Sequence, residues 1–256
     1  MIKYGISELS VIPVRKEPND KSEMTTQILF GEVFQVTEAQ GGWSNINLAF
    51  DNYEGWIESK SISKISKDVF DQINSGSNIV TQNLLNVVLN HKNEQIILPV
   101  GATLPNFKSN SKSFVINENQ YQISENIFED KLNIVSLSKQ FLNSPYLWGG
   151  KNPFGIDCSG FVQVVYKVLG IKLSRDANQQ IDFGETINFI SEIKAGDLAF
   201  FDNEEGNIVH VGIVLNQHEI IHASGKVRID KLDQQGIYNI ENKNYSHKLR
   251  LIKRVL

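Results

Sequence analysis

A chain of 256 residues with 41% hydrophobic and 21% charged residues can bury a substantial core, as one large domain or as about two to three small ones. Its formal net charge of −4, from 25 basic against 29 acidic residues, argues against a nucleic-acid or acidic-membrane partner. A single cysteine, Cys158, rules out an intrachain disulfide and a cysteine-cluster zinc site.

The opening stretch, MIKYGISELSVIPVRKEPND, has no basic run followed by an apolar one and no small-residue cleavage site, and no later segment approaches the length of a membrane span. The expectation is a cytoplasmic protein, although a chain trimmed of a leader would read the same. Residues 1–63 then alternate as short strands: VIPVR, QILFGEVFQVTEA, GGWSNINLAF and YEGWIES, split by Pro18, Gly31, Gly41, Gly42 and Gly55. That spacing predicts a small antiparallel barrel with Trp43 and Trp56 as packing residues. The order of VIPVR, ILFGE, GGW and GWI resembles the bacterial SH3-like domain that accompanies many cell-wall enzymes.

Residues 64–128 are read as a second, degenerate SH3-like barrel, with Leu84 to Leu89 short enough for strand or helix and EQIILPVGATLPNF and SFVINENQYQIS as strands. From 129 to 256 helices precede strands, which defines an α+β domain. Ile134, Leu137 and Phe141 fall on one helical face in a segment expected to end at Pro145. A second helix follows the glycine loop of PYLWGGKNPFGIDCSGFVQVVYKVLG, with Asp157 at the N-cap, apolar residues at Phe161, Val164, Val165, Val168 and Leu169, and Gly170 as a stop. KAGDLAFFD, NIVHVGIVLNQ, HEIIHASG and HKLRLIKRVL supply the strands.

Cys158 falls in the first turn of its helix, where unpaired amides and the helix dipole favour thiolate over thiol. A lone cysteine is by default a small buried apolar residue, and a histidine on a strand a satisfied polar one. Together with His210 and His222, however, Cys158 offers a nucleophile, a base and a third group to orient the base. Alternation puts His210 and Gly212 on one strand face. A connecting loop with an odd number of residues, centred near Gln217, would oppose His222 to Gly212 and point both rings to one side; a two-residue loop would separate them. His91, His218 and His247 receive no role, and a third metal ligand at suitable spacing is not evident, so neither metal nor organic cofactor is expected.

YLWGG, DCSGFVQ, LSRDANQQ, KAGDLAFF, HVGIVL and IIHASG occur in the order and spacing of the NlpC-type cysteine peptidases of bacterial cell-wall metabolism, which this chain resembles from about residue 130 onward. With SH3-like sequence ahead of it, it looks like the YkfC-type branch, which recycles murein peptides. The resemblance implies a papain-like domain, helices packed on an antiparallel sheet, behind one or two SH3-like barrels. It implies a γ-D-glutamyl-L-diamino acid endopeptidase acting on L-Ala-γ-D-Glu-diamino acid with a free N-terminal alanine.

Carried over by residue, it makes Cys158 the nucleophile, His210 the base and His222 its orienting partner. Tyr146, also readable as an aromatic wedge, would stabilise the oxyanion with the Cys158 amide. Asp157 and Ser159 would flank the nucleophile, Asp157 helping to hold the substrate ammonium, although an N-cap role would also explain it. Tyr53 and an acidic residue of the first barrel, Glu23 in preference to Glu32, would assist; Arg175 and Asp176 would contact the D-glutamate or support the site. Ala177 stands where relatives have serine. The rival readings are a peptidase or amidase of intact peptidoglycan, a lipid acyltransferase, and a wall-peptide binding protein without activity.

Overall fold

The computed structural model describes residues 3–76, 78–123 and 132–256, and the chain divides into two compact units, Met1–Asp130 and Lys131–Leu256. The expected boundary at 128/129 lies outside the described residues. No helix among those residues is long and apolar enough to cross a membrane.

In the first unit, β1 (Tyr4–Ile6), β2 (Val11–Arg15), β3 (Met24–Leu29), β4 (Val33–Gln40), β5 (Trp43–Leu48), β6 (Glu54–Glu58) and β7 (Ser63–Lys64) form one antiparallel sheet in the order β3-β2-β6-β5-β4-β1-β7. Alternation turns Ile46 and Leu48 of β5 and Ile57 of β6 inward, where they pack with Ile12, Val14, Ile28, Phe34 and Val36. The same period leaves Trp43 and Trp56, the expected packing residues, half-buried outside that cluster.

The rest of this unit holds α1 (Lys67–Ser75), β8 (Ile79–Val80), β9 (Leu85–Leu89), β10 (Gln95–Pro99), β11 (Thr103–Leu104), β12 (Ser113–Ile116) and β13 (Asn119–Ile123). The ambiguous leucine-rich run is a strand, and the helix lies in the polar stretch before it, capped by Ser66. Four strands pair as β10-β9-β13-β12 and two as β11-β8. Val88, Leu98, Leu104, Phe114 and Tyr121 share one buried cluster with Tyr4, Ile6 and Val33 of the first sheet and Phe30 of the turn between β3 and β4.

The second unit begins with α2 (Ile134–Gln140), which Asn133 and Ser136 start with a reciprocal capping box. Phe141 caps its end, four residues earlier than Pro145 would stop it. A short hairpin of β14 (Lys151–Asn152) and β15 (Gly155–Ile156) leads into α3 (Cys158–Val168), whose first ten residues are all buried, and then α4 (Ala177–Gln180). The strands are β16 (Glu185–Ile187), β17 (Leu198–Asp202), β18 (Ile208–Asn216), β19 (Glu219–Ser224), β20 (Lys226–Leu232), β21 (Gly236–Asn239) and β22 (Asn244–Arg254).

These strands run β16-β22-β17-β18-β19-β20-β21, and β21 pairs back onto β22. The antiparallel sheet therefore closes into a barrel, with α3 packed on β18 and β19. The long β22 makes closure possible: Asn244 to Lys248 pair with β21, while Lys248 to Lys253 pair with β17. A bulge interrupts each ladder, bending the strand from one neighbour to the other.

Candidate active site

The β18–β19 hairpin settles which way the two histidines point. Its turn has two residues between the pair Asn216↔Glu219, a length that by itself would separate the rings. A bulge between Val214 and Asn216 moves the register by one, giving Val214↔Ile220 and Ile213↔Ile221. Continued one step, that register sets His222 opposite Gly212, and His210 becomes its diagonal neighbour. Gly212 is required there, because an added Cβ would lie 2.9 Å from the His222 Cβ and 2.8 Å from Ile220. The rings meet with His210 Nε2 2.8 Å from His222 Nδ1, His210 5% and His222 1% exposed.

Cys158 opens α3, whose N-cap Asp157 accepts the Gly160 amide at 2.7 Å. The helix start can approach the loop closely only because Gly160 lacks a side chain: a Cβ would lie 2.4 Å from the Gly150 carbonyl. The sulfur is buried against β18, with the backbone of Val211, next to His210, as a hydrogen-bonding partner. Burial pushes the thiol up to about 12 and the Asp157 charge adds to it, outweighing the amides of Val211 and Ser159. Burial also takes His210 well below the usual histidine range, and the neighbouring His222 and His247 act the same way. Burial at the helix start thus works against the thiolate that the helix dipole favours.

Asp157, Ser159 and Arg175 are brought together behind the nucleophile. Oδ1 of Asp157 accepts from the Gly160 amide, Ser159 Oγ and Arg175 Nη1 at 2.7, 3.3 and 3.0 Å. Oδ2 accepts from the Gly149 amide at 2.8 Å and Arg175 Nη2 at 2.5 Å, and Arg175 also reaches Ser159 Oγ at 2.9 Å. A substrate ammonium at Asp157 would have to share a carboxylate that five donors occupy and a guanidinium neutralises. Asp176 stands at the N-cap of α4, with Ala177 as its first residue. Tyr146 bridges to Ile156 beside the helix start; burial, then the Cys158 and Asp157 charges, push its phenol up to about 12.

Tyr53, Glu23 and Glu32 belong to the first unit. Tyr53 packs against the sheet core, Glu23 lies 3.7 Å from Lys16, and the buried Glu32 accepts the Leu29 amide at 2.8 Å.

Three residues of the site escaped sequence reasoning. Asp230, fully buried, places Oδ2 3.2 Å from His222 Nε2. Arg228 grips that carboxylate through Nε at 2.7 Å and Nη2 at 3.0 Å, and the Ile240 amide donates to it at 3.2 Å. Burial alone would raise Asp230, but the hydrogen bonds from His222, Arg228 and Ile240 take it down to about 2. The available signal was the alternation in KVRIDKL, which puts Arg228 and Asp230 on one face of the strand after His222. The third, His247, stacks on His210 with centroids 4.1 Å apart and planes 23° from parallel. Ring nitrogens of the three histidines lie within 4.8 Å of one another. Stacked rings aim their in-plane lone pairs side by side, so those of His210 and His247 do not converge on one ion as imidazole ligands must.

A cysteine at a helix start, against a β-hairpin that carries a histidine pair, is the arrangement of a papain-like cysteine peptidase. The NlpC/P60 family profile matches residues 143–245, and that of the bacterial dipeptidyl-peptidase Sh3 domain matches 14–62. The probable endopeptidase NlpC homolog of Haemophilus influenzae is 32% identical over 133 residues, 51% of this chain and 69% of that protein. The gamma-D-glutamyl-L-lysine dipeptidyl-peptidase of Bacillus subtilis is 29% identical over 224 residues, 77% of this chain and 71% of that protein. A crystal structure of an NlpC/P60 family protein from Bacillus cereus shares the fold with a TM-score of 0.82 at 18% identity, over 99% of both chains. The chain belongs to the NlpC/P60 family of cysteine peptidases and carries an SH3-like domain ahead of the catalytic one.

Proposed function

We propose that this peptidase hydrolyses the γ-D-glutamyl-L-diamino acid bond of murein peptides that begin with a free L-alanine, in peptidoglycan recycling. The observation that carries the reading is Cys158 at the start of α3, beside the backbone of Val211 next to His210, whose ring meets that of His222 on the β18–β19 hairpin. The relative named for the γ-D-glutamyl-L-lysine bond supports the substrate.

In the proposed reaction His210 removes the Cys158 proton as the sulfur attacks the γ-glutamyl carbonyl carbon. The carbonyl π electrons move to oxygen, where the Cys158 amide and the Tyr146 hydroxyl hold the oxyanion. Its collapse breaks the C–N bond, and His210 returns the proton to the leaving amine of the diamino acid. Water, deprotonated by His210, then opens the thioester and releases L-Ala-γ-D-Glu. Asp157, Arg175 and Ser159 hold the helix start so that the sulfur stays in line.

The test is mass spectrometry of products from L-Ala-γ-D-Glu-L-Lys, from its meso-diaminopimelate counterpart and from intact peptidoglycan. Dipeptide release from the free peptides, abolished in Cys158→Ala and strongly reduced by N-acetylating the alanine, is the expected outcome. Cleavage of intact wall without cleavage of free peptide would overturn the recycling reading in favour of a lytic enzyme.

A further inference from the structure

Which nitrogen of His210 serves as the base depends on where the protons of two touching imidazoles sit, and the structure contains a group that decides it. Asp230 is a buried carboxylate, and an ionised carboxylate only accepts hydrogen bonds. Facing it at 3.2 Å, His222 Nε2 must carry a proton. A neutral His222 then has a bare Nδ1, which lies 2.8 Å from His210 Nε2. Two bare nitrogens at that distance would repel, so His210 Nε2 also carries its proton and Nδ1 is left as the lone-pair site. We propose that Asp230 is a positioning residue that fixes both tautomers in series, from Asp230 through His222 to His210, and so selects Nδ1 of His210 as the proton acceptor for Cys158.

The groups around this line are arranged to keep Asp230 an anion. Arg228, on the same strand, occupies both oxygens, and Glu241 at 2.9 Å from Arg228 Nη1 balances its charge. The Ile240 amide takes the remaining direction on Oδ1. His210 of β18 and His247 of β22 face His222 from the opposite side, with ring centroids 5.0 and 5.7 Å away. Asparagine at 230 cannot satisfy this set. With its NH2 in the Oδ1 place, two donors, Arg228 Nη2 and the Ile240 amide, would face a third. With its NH2 in the Oδ2 place only Arg228 Nε is left facing a donor, and His222 Nε2 must become an acceptor. The second orientation has fewer clashes, and it reverses both imidazoles, leaving a proton on His210 Nδ1 where the base should be.

The inference rests on His210 acting as the base of a peptidase, and the experiment separates the two. Long-range proton–nitrogen spectra of histidine-labelled full-length protein should show His210 and His222 protonated at Nε2 near neutral pH, and at Nδ1 in Asp230→Asn. The same substitution should lower kcat about 10²- to 10⁴-fold with KM within about threefold, and activity should partly return as the pH rises, as the mis-set tautomer predicts. Arg228→Gln, which keeps the carboxylate, should retain the Nε2 tautomers and lose less than about tenfold in kcat, an effect a purely structural ion pair at Asp230 would not separate. Finding His222 of the unmutated protein protonated at Nδ1, a readout independent of whether the variant folds, overturns the proposal, as does an Asp230→Asn rate within about threefold of the original. Nε2 tautomers in a protein that cleaves no peptide would uphold the relay and overturn the peptidase reading instead.

Discussion

Arg175 is 1% exposed and clamps Asp157 with two hydrogen bonds, so neither charge has water to fall back on. Breaking one side of such a pair costs about 3–5 kcal/mol, because the survivor is buried unpaired. Arg175→Ala should therefore lower the denaturant midpoint by a corresponding amount and loosen the Gly149 loop and the start of α3 together, read by urea unfolding and by amide exchange at Gly149 and Gly160. Cys158, His210 and His222 were legible from residue type and context, because a glycine-flanked helix start and a strand alternation are local properties. Asp230 and His247 were not, since each meets the imidazoles only across a neighbouring strand or through the barrel closure.

At the scale of elements, the hairpin that aligns the histidines depends on Gly212. A methyl group there would stand 2.9 Å from the His222 Cβ, against the backbone end of that side chain where nothing can yield cheaply. Gly212→Ala should push β18 and β19 apart, lengthen the 2.8 Å contact between the rings and reduce kcat/KM on the order of a hundredfold, since misplacing reacting groups by about 1 Å has that effect. Steady-state kinetics beside an unchanged far-ultraviolet spectrum would check it. The need for space beside His210 was visible in the sequence, as were the caps at Asp157 and Ser66. The bulge between Val214 and Asn216 was not: two-residue and odd-length connections fit the same letters, and only packing of the whole sheet chooses between them.

For the second unit as a whole, three histidines set the acid limit of stability. His210, His222 and His247 are all lowered, His247 to about 4, chiefly by burial. Below the ordinary value of 6.5 the unfolded chain takes up protons that the folded one refuses. Stability is thus fully present above that value and declines as the pH falls from 6.5 toward 4, with proton uptake on unfolding. Thermal melts of Cys158→Ala should show Tm falling steadily from pH 7 to pH 5, and His247→Phe, which keeps an aromatic ring over His210, should flatten that slope. An α+β domain was foreseen from helices preceding strands, whereas closure was not, because it rests on a single strand pairing on both sides through two bulges.

That closure also limits how a peptide can be held. Many proteins grip extended ligands by lending them the vacant main-chain groups of an outermost strand. Here β21 and β22 satisfy each other, and the described sheet ends only at β16, three residues long. At that seam a guest chain finds no ladder to join, which shifts the reading of a bound peptide toward side chains and loop amides.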